Sequence, residues 1–402
     1  MKVVLISFLY EPEIGGGATV VVNQLAQGLL QRSHSVVVIT SWQGRGLKTD
    51  YFDGIKIIRI PPMNFYWVAE KDKQSGLMKV AWQLVDIWNP LVYRLVRQIL
   101  INEEADIVHS HKLRGLSPSI WSAAASIGVK KIIHTCHDYE ALSPEGLLMG
   151  RVGKLAREQS ILLRPYQVIR RSLSHAVDVA TFPSTYAMKM HLKMGFFSAA
   201  IKRVIPNSNG FSQKKIEEKQ AASFYNEKTA INRFLYIGRL DKAKGIDILC
   251  EAFIRLVGAR PDAVLEIAGW GDLDVSLKAK YGKYGSINFL GPVFGERKGE
   301  VFTRNDVLVA PSRASETFGI VIVEGFAYGL PAIATRVGAF PEVVKEGFTG
   351  YLADPDSVDK LCDAMLKISA ASLPAIEMSG NCFKEAIKYS TDSFLENYLS
   401  IY

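Results

Sequence analysis

Cysteine is scarce and scattered in this sequence of 402 residues. Cys136, Cys250, Cys362 and Cys382 are the four cysteines, and no two of them have C-x-x-C spacing. A disulfide framework and a structural zinc site are therefore not expected. Free thiols suit a reducing compartment, so the sequence predicts a cytoplasmic protein.

Long apolar runs are also missing. No stretch reaches the roughly 18 consecutive apolar residues that a membrane-spanning helix requires. The apolar run at Met1–Phe8 is too short for a signal peptide and leads into a glycine-rich turn, so it is predicted to be the first strand. An exported, two-lobed sugar-binding protein is therefore disfavoured. Any contact with a membrane is expected to occur at a surface.

Nucleic-acid-binding patterns of the RNP, zinc-finger and helix-turn-helix types are absent, so no nucleic-acid partner is expected. Charge is abundant but uneven: residues 1–210 hold 25 Lys or Arg against 15 Asp or Glu, whereas the rest hold 23 against 25. Two interpretations stay open. The basic half meets an anionic acceptor or the anionic inner face of a membrane, or it simply has a soluble basic surface.

Two α/β domains are predicted from the length and from the alternation of short β-branched runs with longer amphipathic ones. The predicted strands are Val3–Phe8, Ser35–Thr40, Ile55–Ile60, Asp106–His109, Lys131–Thr135, Val177–Phe182 and Arg203–Ile205, followed by Phe234–Ile237, Val264–Ala268, Ile287–Leu290, Val307–Ala310 and Ala332–Ala334. The predicted domains are 1–208 and 231–384, with a linker over 211–230 and a terminal segment 385–402. An apolar rhythm from Leu77 to Ile99 predicts one helix kinked at Pro90, and it favours a helix facing the core over one lying on a membrane.

Two glutamates flank a predicted strand-to-helix turn. Glu316 precedes the helix, whose first backbone N–H groups, at Gly319, Ile320 and Val321, form an end that attracts anions. Glu324 follows eight residues after Glu316. A carboxylate beside a phosphate site repels the ligand unless it faces a neutral polar part of that ligand. Sugar hydroxyls are such a part.

A loop rich in glycine and cations follows the first strand of the second domain. It contains Gly238, Arg239 and Lys244, and its guanidinium and ammonium groups can neutralise a diphosphate. Two aspartate pairs, Asp272-x-Asp274 and Asp354-x-Asp356, mimic a metal-binding D-x-D. Because the cations already supply positive charge, we predict no metal and no cofactor.

The first domain offers two further candidates at strand ends. Gly15, Gly16 and Gly17 lie between the first strand and its helix, where backbone N–H groups form an anion cradle. The dinucleotide fingerprint is the rival explanation, but its third glycine and its ribose-binding acid are missing, so a nicotinamide enzyme is disfavoured. His137 follows another predicted strand and can donate a hydrogen bond to a sugar hydroxyl, with Asp138 tuning its orientation.

These motifs resemble the signature of glycosyltransferase family 4, the glycosyl transferases group 1. The resemblance rests on E-x-F-G and the second glutamate at 316–324, G-x-P at 329–331, G-R-x-x-x-x-K-G at 238–245 and T-x-H-D at 135–138. It implies the GT-B architecture, in which two Rossmann-like doubly wound domains face each other across a cleft. The first domain is then the acceptor side, the second binds the donor, and the terminal helix crosses back to the first domain.

The resemblance also implies roles for the candidate residues. The catalytic set is Glu316 at the donor sugar, His137 at the reacting face, and Arg239 and Lys244 at the departing diphosphate. The donor-binding set is Gly15, Gly16, Gly17, Gly238, Arg239, Lys244, Thr317, Phe318, Gly319, Ile320, Val321 and Glu324, the last of these at the ribose.

The predicted function is a retaining hexosyltransferase of polysaccharide or glycolipid biosynthesis. Its donor is a UDP-, GDP- or ADP-sugar, and its acceptor is a sugar, a lipid-linked molecule or a small molecule. The alternative is a nucleotide-sugar epimerase, or another non-transferase enzyme, on the same two-domain scaffold.

Overall fold

The computed structural model describes residues 1–12, 16–223, 231–370 and 372–402. They divide into two compact units: unit 1 comprises Met1–Pro206 with Phe394–Tyr402, and unit 2 comprises Asn207–Ser393. The end of the chain therefore belongs to the same unit as its beginning. Among the described residues, no helix combines the length and the apolar character needed to cross a bilayer.

Unit 1 is built on an eight-stranded sheet. Its strands are β1 (Lys2–Ile6), β2 (Ser35–Ser41), β3 (Lys48–Phe52), β4 (Ile55–Ile60), β5 (Ile107–Ser110), β6 (Lys131–Thr135), β7 (Val179–Phe182) and β8 (Ile201–Val204). Their order is β3-β4-β2-β1-β5-β6-β7-β8, and only the β3–β4 pair is antiparallel. Central strands such as β1, whose last four residues are fully buried, are continuously apolar because helices cover both faces of the sheet.

The helices of unit 1 connect these strands. They are α1 (Gly17–Gln31), α2 (Gly76–Ile87), α3 (Pro90–Asn102), α4 (Ser119–Ser126), α5 (Gly150–Arg157), α6 (Arg164–Leu173) and α7 (Thr185–Lys193), with 3-10 turns at Val68–Lys73 and Ser174–Ala176.

The apolar rhythm from Leu77 to Ile99 forms two helices, so the prediction of one kinked helix is wrong. Asn89 separates α2 from α3 and accepts hydrogen bonds from the backbone N–H groups of Leu91 and Val92 at 2.9 and 3.2 Å. This cap starts a new helix, and Pro90 fits its first position because proline needs no N–H partner there.

Unit 2 is built on a six-stranded parallel sheet. Its strands are β9 (Arg233–Ile237), β10 (Val264–Ala268), β11 (Ile287–Gly291), β12 (Val307–Ala310), β13 (Ala332–Thr335) and β14 (Gly350–Ala353). The order β11-β10-β9-β12-β13-β14 reverses direction between β9 and β12. Open α/β sheets bind ligands at such a switch point, beyond the carboxyl ends of the strands.

The helices of unit 2 cover both faces of this sheet. They are α8 (Gln213–Ser223), α9 (Ile246–Ala259), α10 (Asp274–Tyr281), α11 (Gly295–Arg304), α12 (Ile320–Phe326), α13 (Phe340–Val343), α14 (Val358–Ser369) and α15 (Ser372–Lys388), with a 3-10 turn at Lys242–Lys244; α16 (Thr391–Leu399) then returns the chain to unit 1. Two doubly wound sheets confirm the predicted α/β fold class.

The segment predicted as a linker contains a helix. α8 occupies 213–223 and belongs to unit 2, whereas residues 224–230 lie outside the described residues. Its single fully buried side chain, Ile216, joins the hydrophobic core beside the parallel sheet. The linker prediction is therefore wrong over 213–223. The helix escaped prediction because one buried apolar residue in an otherwise polar helix leaves no periodic pattern in the sequence.

Candidate active site

The loops after β9 and β12 meet at the switch point of unit 2. The Asp241 carboxylate accepts a hydrogen bond from the backbone N–H of Lys244 at 2.9 Å and so caps the 3-10 turn. Gly245 then turns the chain at a φ of 68°, where a Cβ atom would lie 2.0 Å from the carbonyl oxygen of Pro311. Only glycine permits this approach of the two loops.

Backbone bonds lock the two loops together. The N–H groups of Arg313 and Ala314 both donate to the carbonyl oxygen of Ala243, at 2.9 and 3.1 Å. The guanidinium of Arg313 also donates to the carbonyl oxygen of Lys242 at 2.9 Å and to the Asp247 carboxylate at 2.6 Å. The loop that carries Lys244 is therefore fixed against the segment that leads to Glu316.

This arrangement brings Lys244 and Glu316 together although 72 residues separate them. Their Nζ and Oε1 atoms are 2.7 Å apart, and the Ser312 hydroxyl donates to the same Oε1 at 2.5 Å. Burial raises the pKa of Glu316, but the Lys244 ammonium and the two hydrogen bonds outweigh it, so the pKa lies below its ordinary value. Glu316 is therefore ionised at neutral pH and can only accept hydrogen bonds.

Gly338 holds the backbone of Glu316 from the other side. A Cβ atom at Gly338 would lie 2.1 Å from the carbonyl oxygen of Glu316, and the neighbouring N–H of Ala339 donates to that oxygen at 2.9 Å. The glycine after β13 thus belongs to the support of the site, because a side chain there would displace Glu316.

Arg239 lies on the same loop as Lys244. Its side chain is 61% exposed and pairs with the Asp241 carboxylate at 3.0 Å, and its positive charge helps to lower the pKa of Glu316. An exposed guanidinium held by one carboxylate remains available to a second anion. Arg239, Lys244 and Glu316 are the predicted residues that the structure brings together, and Gly238 begins their loop directly after β9.

The start of α12 contains residues with different surroundings. Gly319 caps the helix at a φ of 108°, and Thr317, Ile320 and Val321 are half-buried. Phe318 is buried in the hydrophobic core, where its ring contacts Tyr389 at 5.6 Å between centroids. Only the backbone of Phe318 can therefore contribute to a donor site, which narrows its predicted role.

Glu324 forms an ion pair with Lys298, a cation outside the predicted site. The Nζ atom of Lys298, on α11, is 2.6 Å from its Oε1 atom. Glu324 therefore carries its own positive partner, separate from the Lys244–Glu316 pair. No motif in the sequence marks Lys298, because its pairing depends on how α11 packs beside α12.

His137 lies beyond the end of β6 in unit 1. Its Nε2 atom is 2.9 Å from the Nδ1 atom of His111, and the two rings stack with centroids 5.2 Å apart. Burial lowers the pKa of His137 to about 4, although the neighbouring Asp138 acts in the opposite direction. The ring is therefore neutral at physiological pH. The Asp138 carboxylate bonds Lys112 at 3.1 Å and the N–H of Glu140 at 2.8 Å.

A buried polar network continues from His111 towards the end of the chain. The rings of His109 and His111 have centroids 4.1 Å apart. The Nδ1 and Nε2 atoms of His109 bond the Tyr402 hydroxyl at 2.6 Å and the Thr135 hydroxyl at 2.7 Å, and the Tyr398 hydroxyl bonds Thr135 at 3.1 Å. The C-terminal tyrosines thus reach the histidines beside His137.

Two glycines of the predicted anion cradle are described, and both are exposed at the start of α1. Gly16 has a φ of 107° and precedes Gly17, the first helical residue, whereas Gly15 lies outside the described residues. The role of Gly15, Gly16 and Gly17 at the donor phosphates stays a prediction.

Comparison with known proteins assigns this chain to a family. The family model for glycosyltransferase family 4 matches residues 15–208, and the model for glycosyl transferases group 1 matches residues 216–388. A 42.6 kDa protein in the cps region of Klebsiella pneumoniae is 30% identical over 85% of this chain and 87% of its own length. The chain belongs to glycosyltransferase family 4.

Two further relatives of this glycosyltransferase are informative. The phosphatidyl-myo-inositol mannosyltransferase of Mycobacterium tuberculosis is 26% identical over 87% of this chain and 82% of its own length. The crystal structure of HepE from Anabaena in complex with UDP and glucose covers 100% of this chain and 99% of its own, with a TM-score of 0.71 and 18% identity. At that identity the structural likeness supports the GT-B fold alone.

The glycosyltransferase also contains candidate residues outside the predicted set. The Ser312 hydroxyl donates to Glu316, and no motif in the sequence marks Ser312, which lies four residues before the E-x-F-G segment. Glu140 is buried, and burial together with Asp138 raises the pKa of its carboxyl group to about 7.

The Asp354-x-Asp356 pair, which mimics a metal-binding motif, is engaged in ion pairs: Asp354 pairs with Arg336 and Asp356 pairs with Arg313. Among the described residues, no group of three or more His, Cys, Asp or Glu side chains is arranged to hold a metal ion.

Proposed function

We propose that this glycosyltransferase moves a hexose from a nucleotide diphosphate sugar to an acceptor hydroxyl, with retention of the anomeric configuration and without a metal ion. The observation that carries the proposal is the Lys244–Glu316 pair, 2.7 Å apart at the switch point of unit 2 with Arg239 on the same loop. A cation pair beside an ionised carboxylate suits a ligand that joins a diphosphate to a hydroxyl-rich sugar.

We infer a role for each side chain from its charge. Arg239 and Lys244 neutralise the diphosphate and stabilise the charge that develops on it as the sugar bond breaks. Glu316, kept ionised by Lys244 and Ser312, accepts hydrogen bonds from sugar hydroxyls and orients the ring. Two cations at the leaving group supply the positive charge that a metal ion would otherwise provide.

His137 acts as a neutral hydrogen-bonding group in this proposal. Because burial lowers its pKa to about 4, the imidazole carries no positive charge at neutral pH and can donate or accept a hydrogen bond. The bond to the diphosphate breaks first, and the acceptor hydroxyl attacks the anomeric carbon on the face that the diphosphate leaves, passing its proton to the departing phosphate oxygen. A short-lived ion pair thus accounts for retention without a covalent enzyme intermediate.

The relatives favour particular donors and acceptors. UDP and glucose in the HepE complex support a uridine diphosphate hexose as the first donor to test, with GDP- and ADP-sugars beside it. The mannosyltransferase named for phosphatidyl-myo-inositol supports a lipid-linked acceptor, and the protein in the cps region supports a polysaccharide pathway. The four cysteines are free and buried, which suits action in the cytoplasm. A lipid-linked acceptor suits action at the inner face of a membrane.

Thermal unfolding with UDP, GDP, ADP and their sugars tests the donor. A ligand at about 100 times its Kd stabilises the native state by about 2.7 kcal/mol, which raises the midpoint by several degrees. The donor identified in this way is then incubated with and without candidate acceptors in EDTA, and NMR assigns the product. Retained configuration in an acceptor-dependent product supports the proposal. Conversion of the donor into an isomeric nucleotide sugar without an acceptor identifies an epimerase. Dependence on added metal contradicts the metal-free mechanism.

A further inference from the structure

Helix α2 of unit 1 is anchored by one face. Trp82 and Asp86 are each 1% exposed. The Trp82 indole N–H donates to the carbonyl oxygen of Tyr66 at 2.9 Å, and the Asp86 carboxylate pairs with the Arg170 guanidinium at 2.8 Å. Breaking such a buried ion pair is costly, so this face holds α2 firmly against α6.

The opposite face of α2 carries large apolar side chains that lie in solvent. Leu77, Val80 and Leu84 are 87, 60 and 65% exposed, and their spacings of three and four residues place them on one helical stripe. Trp88 and Leu91, at 41 and 54% exposure, continue the apolar surface to the start of α3. We call these five residues the α2 stripe. The prediction of a core-facing helix is therefore wrong for α2.

The exposed charges on the two helices that carry the α2 stripe have one sign. Between Gln74 and Asn102 the sequence contains one carboxylate, Asp86, and that group is buried in its pair with Arg170. Lys79 and Arg94 lie exposed on the same two helices as the stripe. An apolar stripe accompanied by cations, with a tryptophan at its end, has the composition of a helix that lies in a lipid interface.

We propose that the α2 stripe docks unit 1 on an anionic lipid surface, with its side chains inserted among the acyl chains and Lys79 and Arg94 at the headgroups. A second copy of the chain fits less well, because a twofold interface would bring the same cations of both copies together. The inference goes beyond the proposed function and does not depend on donor chemistry. It places a lipid-linked acceptor and the enzyme at one interface.

Vesicle co-sedimentation of the full chain tests this docking. The vesicles contain phosphatidylcholine alone or an equal mixture with phosphatidylglycerol. The first variant is Leu77→Ser/Val80→Ser/Leu84→Ser, and its control is Val275→Ser, which changes an 81% exposed side chain of α10 in unit 2. The second variant is Lys79→Glu/Arg94→Glu, and its control is Lys214→Glu/Lys283→Glu, which changes the net charge equally at exposed positions of unit 2.

We expect the wild type and both controls to bind the mixed vesicles, and both stripe variants to lose at least about tenfold in partitioning. Binding by the wild type should also weaken in 0.5 M salt, about threefold or more. Equal binding by all proteins, or none by the wild type, overturns the proposal. So does a concentration-dependent dimer that the serine variant abolishes, since a second copy then covers the stripe. The thermal midpoint with UDP, measured on the same proteins, reports the donor site separately.

Discussion

At the scale of single residues, Lys244 is the group on which the proposed chemistry depends most. We expect Lys244→Met to lower kcat by about 10²- to 10³-fold, on the order of 3 kcal/mol of lost transition-state stabilisation, because a methionine of similar length cannot offset the charge on the diphosphate. Steady-state kinetics at saturating donor measure this loss.

Lys242 provides the matched control for that experiment. It lies two residues earlier on the same turn, and its side chain is exposed. Lys242→Met removes the same charge and should leave kcat within about twofold of the wild type, as a solvated surface charge contributes little. If Lys244→Met turns over at a nearly normal rate, the leaving-group role of Lys244 is wrong.

Acid stability is a second property set by individual residues. His191 is fully buried among aromatic rings, and burial lowers its pKa from 6.5 to about 4. As the pH falls below 6.5, His191 takes up a proton in the unfolded chain but stays neutral in the native state. Its contribution to the free energy of unfolding is therefore fully present above pH 6.5 and is lost as the pH falls towards 4. Four other buried histidines change the pH dependence of stability in the same direction, because burial lowers their pKa values: His109, His111, His134 and His137. Glu140 changes it in the opposite direction, because its pKa is raised.

His191→Phe should therefore flatten the pH dependence of stability. Between pH 7.5 and 4.5 the free energy of unfolding of the wild type should fall by about 2 to 3 kcal/mol more than that of the variant, since one pKa unit corresponds to about 1.4 kcal/mol. Urea titrations across this range measure both curves. His175→Phe makes the same substitution at an exposed position and is the control for the change of side chain. Parallel curves for His191→Phe would contradict the assignment.

At the scale of elements, the inner strands and the edge strand β11 were predictable from the sequence, whereas the edge strands β3 and β14 were not. β4, β6, β10 and β12 have the predicted bounds because their runs of apolar and β-branched residues leave no competing pattern. β3 escaped prediction because its residues, KTDYF, are mostly exposed at the antiparallel edge. β14 escaped prediction because its residues, GYLA, begin with glycine and include no β-branched side chain.

The site itself was predictable only in part, for a reason that also lies in the elements. The residue types near Glu316 and Lys244 indicated an anionic sugar ligand, but the pairs Lys244–Glu316 and Lys298–Glu324 join distant segments and leave no local pattern. The loop contact that forms the first pair depends on Gly245, which can be tested directly.

Gly245→Ala should disrupt the loop junction of unit 2. A Cβ atom would lie 2.0 Å from the carbonyl oxygen of Pro311, and the φ of 68° is unfavourable for alanine, so we expect a loss of about 2 to 4 kcal/mol in unfolding free energy. Gly258→Ala is the control: it lies inside α9 with open space at its Cβ position, and helix propensity predicts a gain of about 0.5 to 1 kcal/mol. Denaturant titration of both variants measures these changes, and opposite signs are the expected result.

At the scale of the whole molecule, the end of the chain completes unit 1. The Tyr398 hydroxyl bonds Thr135 at 3.1 Å, the Tyr402 hydroxyl bonds His109 at 2.6 Å, and both strands involved, β5 and β6, carry the histidines near His137. The contacts of these tyrosines in unit 1 can therefore form only after unit 2 has been synthesised. No local pattern in the sequence discloses this, because the amphipathic tail fits any apolar surface equally well.

Tyr398 allows that coupling to be measured. Tyr398→Ala removes a fully buried ring and should cost about 3 to 5 kcal/mol, whereas Tyr398→Phe removes only the hydroxyl and should cost about 1 kcal/mol. Hydrogen exchange should locate the loss from Tyr398→Ala in β5, β6 and β7 of unit 1, while β9, β12 and β13 of unit 2 keep the protection of the wild type. Equal loss of protection in both units would show instead that the two unfold as one cooperative body, and that the tail stabilises the entire chain rather than the unit it contacts.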